Sequence, residues 1–78
     1  MPTRLPAPTG DQIGRARAIR GWSQKDLAAA LNVTERTVQR YEAGGAPAHR
    51  PFVVGRLVQI LPALEQIVAE DAELAEAS

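Results

Sequence analysis

Apolar residues recur along this chain at spacings of three and four, and each run is bracketed by residues that start or stop helices. Thr9-Gly10-Asp11-Gln12 has the form of a capping box, a Thr cap with Gln three residues on, which predicts a helix over 10–20. Ile13, Ala16, Arg17 and Arg20 share one stripe of it, and Gly21 supplies a left-handed stop. An arginine on an inner stripe needs a partner. Ser23 caps a second helix over 24–31, with Leu27, Ala28 and Leu31 inward and Trp22 stapled to Leu27. Thr34 repeats the device: Val33 and Val38 form another staple, and a helix over 35–43 stops at Gly44-Gly45 with Val38, Tyr41 and Glu42 inward. Residues 46–50 read as a loop, and Pro51 suits the first position of a fourth helix. That helix reaches Ile60 or Leu61 and buries Val53 or Val54, Leu57, Ile60 and Leu61. Pro62 breaks or kinks the chain, and a last helix over 63–76 carries Leu64, Ile67, Val68 and Leu74. No strand pattern occurs, so the expected fold class is all-α, with five short helices. Residues 1–8, with three prolines and no periodicity, predict a mobile arm; 9–61 form the folded domain and 62–78 an acidic C-terminal helix and tail.

Size sharpens this picture. At 78 residues the chain is near the lower limit at which a hydrophobic core alone holds a fold, and it has no cysteine to staple it. The core is expected from Leu, Ile, Val and Ala with Trp22, Tyr41 and Phe52. No metal site or cofactor is expected, because the single His49 has no placed partner and reads as an exposed loop residue. Enzyme chemistry is set aside for the same reason, and because no Gly-rich loop follows a strand. No apolar run is long enough to span a membrane and the N-terminus has no apolar signal region, which gives a cytoplasmic protein as the expectation.

The formal charge is zero, but its distribution is uneven. All nine Lys and Arg lie in residues 1–56 against four acids, and residues 57–78 carry the other five acids and no base. A basic body of this kind suits an anionic partner. Arg15 and Lys25 read as general positive surface.

Two helices joined through Asn32-Val33-Thr34 have the form of a helix-turn-helix, whose second helix enters the major groove of DNA. The outer side of that helix offers the chemistry required. Arg36 and Arg40, at i and i+4, can each pair bidentately with guanine. Gln39 can pair with adenine, and the Thr37 methyl can meet thymine. Glu35 either accepts from cytosine N4 or complements the helix dipole. Free N–H groups at the starts of the second and third helices suit phosphates, and Gln24 can clamp a phosphate or brace a base-reading side chain.

The pattern R-x4-W-SQ-x2-LA-x2-L-x-V-T-x3-V-x2-YE-x-G, from Arg17 through Gly44, resembles the lambda-repressor-like, Cro/repressor family of helix-turn-helix proteins, and the resemblance extends over residues 12–61. It implies an ion pair between Arg17 and Glu42, which would account for the inward arginine. It implies base contacts from Gln24, Glu35, Arg36 and Arg40, to which the helix-start position adds Thr37. Phosphate contacts are expected from Ser23, Lys25, Thr34, Gln39 and Arg50. The implied function is a transcriptional regulator on double-stranded DNA, a homodimer on an inverted repeat. The alternative is an antitoxin-type module that binds a partner protein through the apolar stripe of 57–76.

Overall fold

Local chemistry sets where each helix begins and ends. The computed structural model describes residues 7–45 and 50–77, and within them lie five α-helices: α1 Gly10–Arg20, α2 Gln24–Leu31, α3 Glu35–Gly44, α4 Pro51–Ile60 and α5 Pro62–Ala77. Thr9 and Gln12 form a reciprocal box, the Thr9 N–H donating to Gln12 Oε1 at 2.9 Å and the Gln12 N–H to Thr9 Oγ1 at 3.2 Å. Ser23 forms a second box with Asp26, whose carboxylate accepts the Ser23 N–H at 2.9 Å. That N–H, and then the Ser23 hydroxyl, hold the Asp26 carboxyl below its ordinary pKa.

α1 and α2 stop in the same way. Past α1, Gly21 is left-handed (φ 78°), its N–H reaching Ala18 and that of Trp22 reaching Arg17. Past α2, Asn32 is left-handed (φ 58°), its N–H reaching Ala29 and that of Val33 reaching Ala28. Each closure is the six-to-one plus five-to-two pattern that satisfies terminal carbonyls, and Asn is among the few residues besides Gly that adopt it cheaply. Gly21-Trp22-Ser23 and Asn32-Val33-Thr34 are therefore one device used twice. A left-handed residue ends a helix, an apolar residue drops to the core, and a hydroxyl caps the next helix.

Every helix contributes to one core. Ile13 and Ala16 come from α1, Leu27 and Ala28 from α2, Val38 from α3 and Leu57 from α4; Leu61 follows, then Leu64, Ile67 and Val68 from α5. Trp22, Leu31, Val33, Tyr41, Val53 and Ile60 pack around the edge. Burying each large apolar side chain contributes about 1.5–3 kcal/mol. Pro62 lacks the N–H that would continue α4, and the chain bends by 109° between Phe52–Ile60 and Pro62–Ala75. The bend returns α5 across α4 and α1. No single helix among the described residues is long and apolar enough to cross a membrane.

Several expectations need correction. Phe52, expected in the core, is 74% exposed at the second position of α4. Leu74 is 69% exposed. α5 starts beside Ile19 and Arg20 at the end of α1 and reaches Gln12 already at Asp71, so Leu74 lies past the helix that covers its neighbours. Leu57, Leu61, Leu64, Ile67 and Val68 are buried in the chain's own core. The apolar stripe of 57–76 is thus not available to a partner, apart from its last leucine. Arg20 leaves the inner stripe and lies 4.2 Å over the Trp22 ring. Pro8, read as arm, is buried, and its carbonyl lies against Gly45. The rest of the arm to residue 6 and the loop residues 46–49, including His49, lie outside the described residues.

Arg15 is not general surface charge. It reaches Asp71 at 3.1 Å and Asp11 at 3.6 Å. Gln12, buried, donates to the same Asp71 oxygen at 2.9 Å. The Gln12 amide, then the Arg15 charge, hold the Asp71 carboxyl below its ordinary value. A lowered folded-state pKa gives stability that is complete above the unfolded value of about 3.9 and is lost as pH falls through the folded value. The stability difference between wild type and Asp71→Asn is therefore expected to be constant above about pH 5 and to shrink below about pH 4, read from urea unfolding at stepped pH. A difference that is flat across that range would show that the latch contributes nothing through its charge.

Candidate nucleic-acid interface

α3 has one side in the core and one side bare. Val38 is fully buried and Tyr41 and Glu42 are half-buried, so the opposite arc must face solvent. That arc carries Glu35, Arg36, Gln39 and Arg40, all exposed, and with Ala43 they line one shallow open face. Arg36 and Arg40 project one turn apart. The small Ala43 continues the arc without bulk. Two guanidinium groups, one carboxamide and one carboxylate are thus presented together on a rigid element.

The corner before α3 fixes where this face starts. Thr34 Oγ1 accepts the Thr37 N–H at 3.2 Å, and the two hydroxyls pair at 3.0 Å. Thr37 is half-buried and its hydroxyl is bound to the cap, which leaves it less forward than the arginines. The amides of Glu35 and Arg36 have no intrahelical acceptor, as at any helix start. At α2 the Ser23–Asp26 box takes two N–H groups and leaves those of Gln24 and Lys25. This end, expected to be open to phosphate, holds the Asp26 carboxylate beside it. The Ser-x-x-Asp spacing was the available signal.

Behind the face, one carboxylate ties three elements together. Arg17 donates through Nε and Nη2 to the two oxygens of Glu42 at 2.8 and 3.2 Å. Its remaining Nη1 donates to the Trp22 carbonyl at 2.8 Å. Gln24 Nε2 donates to Glu42 Oε1 at 3.3 Å. The side chains of Arg17 and Glu42 are only 20% and 13% exposed, so this two-pronged pair is mostly out of water. It joins α1, the first corner, the start of α2 and the last turn of α3. Gly10 and Gly14 allow this close approach: a Cβ at Gly10 would overlap the Glu42 carbonyl, and one at Gly14 would lie 3.2 Å from Glu42 Oε1.

The other site residues divide by position. Gln24 is half-buried and faces inward through its amide, in the manner of a brace. Ser23 and Lys25 are exposed at the start of α2. Arg50 is exposed, but it lines a different groove with Phe52 and Arg56 and does not join the Arg36–Arg40 face. Among the described residues no group of three or more His, Cys, Asp or Glu side chains is placed to hold a metal ion.

No curated protein and no solved structure matches the chain. A family model described as "Helix-turn-helix domain" matches residues 10–70. That match runs from the first residue of α1 into α5, across both capped corners and the whole of the exposed α3 face, and the chain belongs to the helix-turn-helix domain family.

Proposed function

We propose that this chain is a sequence-specific regulator of transcription that reads double-stranded DNA with the outer face of α3, as a homodimer on an inverted repeat in the manner of Cro-type repressors. The observation that carries the reading is the bare arc of Glu35, Arg36, Gln39 and Arg40 on a helix whose other side is anchored in the core. In this reading Arg36 and Arg40 take guanine edges, Glu35 accepts from a cytosine amine, and Thr37 touches a thymine methyl. Gln24 holds Glu42 and offers its carbonyl oxygen to the groove. Ser23, Lys25, Thr34 and Gln39 meet phosphates on the two walls, and Arg50 meets the backbone at the far end of the reading head. One such head reads only a few base pairs, which is why a second copy is invoked.

The test is selection of bound duplexes from a random pool, followed by binding of variants to the selected site. Arg36→Ala and Arg40→Ala are each expected to cost about 1–3 kcal/mol, roughly 5–150-fold in Kd, and to relax preference at one base position. Lys25→Ala is expected to weaken all duplexes alike and to lower the salt slope by about one. Equal losses on selected and scrambled duplexes for all three would reduce the arginines to phosphate contacts and remove sequence specificity from the reading.

A further inference from the structure

A groove of about 340 Å³ opens where α2, α3 and α4 meet. Leu31, Val33, Tyr41 and Val53 give it an apolar floor, Arg50 and Arg56 rim it, and the ring of Phe52 lies open beside it. A singly exposed aromatic is ordinary on a protein surface. An exposed aromatic beside an apolar groove with two cations on its rim has a defined complement: a helix that presents one large apolar side chain between carboxylates.

The chain carries such a helix end. On α5, Glu70, Glu73 and Leu74 stand at i, i+3 and i+4, on one stripe and all exposed. From residue 57 onward the sequence has five acids and no base. This segment is held away from the groove of its own chain, because Asp71 is bound to Gln12 and Arg15 on α1. The alternative, two Phe52 faces stacked on each other, would bring Arg50 and Arg56 of both copies together at a like-charge cost.

We propose that a second copy of this chain occupies the groove, the end of its α5 seating Leu74 against Phe52 and its Glu73 against Arg56. In a two-fold arrangement the exchange is reciprocal, so both exposed leucines and both exposed phenylalanines are covered at once. Tyr41 belongs to α3 and to the groove floor, so the same seam sets the distance between the two reading faces. The inference rests on the homodimer part of the reading above and names its contact.

Sedimentation equilibrium of the full chain without DNA tests it, with helical content of each variant checked by circular dichroism. Wild type is expected to dimerise. Leu74→Asp and Phe52→Ser, both at exposed positions, are each expected to weaken the dimer at least tenfold with helicity kept. Arg56→Glu and Glu73→Arg are each expected to weaken it, and their combination to restore it. A wild-type monomer at every concentration, a dimer indifferent to Leu74→Asp, or a charge swap without rescue would each overturn the seam. Selected duplexes bound with full sequence preference in any of those cases would leave the α3 reading standing. A dimer that forms as described but binds no duplex would leave the seam standing and remove the DNA reading.

Discussion

Glu42→Ala is expected to cost about 3–5 kcal/mol of folding stability, the largest loss for any single truncation outside the apolar core. The substitution leaves Arg17 mostly buried with only the Trp22 carbonyl as acceptor, and takes from Gln24 the acceptor of its amide. An uncompensated charge removed from water is what makes one-sided removal severe. A domain of this size has only about 5–15 kcal/mol in total, so the variant sits near its unfolding threshold. Urea unfolding should show a lower midpoint at unchanged slope. The double variant Arg17→Met, Glu42→Leu should recover most of the loss, because apolar replacement of a buried pair is often neutral. Strong non-additivity of this kind marks direct coupling. A Glu42→Ala loss below about 0.5 kcal/mol, the range of ordinary surface changes, would mean that the pair is solvated and does not set the angle of α3.

What was legible in the sequence follows the range of the interaction. Thr9 with Gln12, and Ser23 and Thr34 with the amides three residues on, are contacts within one turn, and they placed the starts of α1, α2 and α3. The stops at Gly21 and Asn32 are equally local, although α3 runs one residue past the expected end and yields only at Gly45 (φ 91°). Buried stripes were legible where a helix lies wholly on the core. They failed where a helix overruns it. Leu74 keeps the spacing of Ile67 but has passed the start of α1, and Phe52 is apolar yet stands at the second position of α4, ahead of the buried Leu57. The inward Arg17 announced that a partner existed, and the family resemblance supplied Glu42. Nothing local could link Gln12 and Arg15 to Asp71, 59 and 56 residues away. The exposed α3 arc was readable because it is what remains once Val38, Tyr41 and Glu42 are assigned inward. The placing of Arg50 in a separate groove was not, because it depends on where α4 docks.

Gly10→Ala is expected to destabilise by about 3 kcal/mol, at the upper end for overpacking, although alanine is the better helix former. The new methyl would enter the van der Waals shell of the Glu42 carbonyl carbon and oxygen, both backbone atoms. A side chain can rotate away from such a contact; the last turn of α3 cannot move without disturbing the Arg17–Glu42 pair that it carries. Gly14→Ala supplies the control on the same helix. Its methyl would lie 3.2 Å from Glu42 Oε1, a tight contact in which the carboxylate has to shift slightly against its bonds to Arg17 and Gln24, without any backbone overlap. The gain of about 0.5–1 kcal/mol from replacing a mid-helix glycine offsets it, and the net effect should be small. At about 4–8 °C per kcal/mol for a domain of this size, thermal unfolding should place the Gly10→Ala midpoint well over 10 °C below wild type and the Gly14→Ala midpoint close to it. Equal midpoints for the two variants would mean that α1 approaches α3 less closely than the Gly10–Glu42 contact requires, and the reading helix would then depend on the ion pair alone for its position.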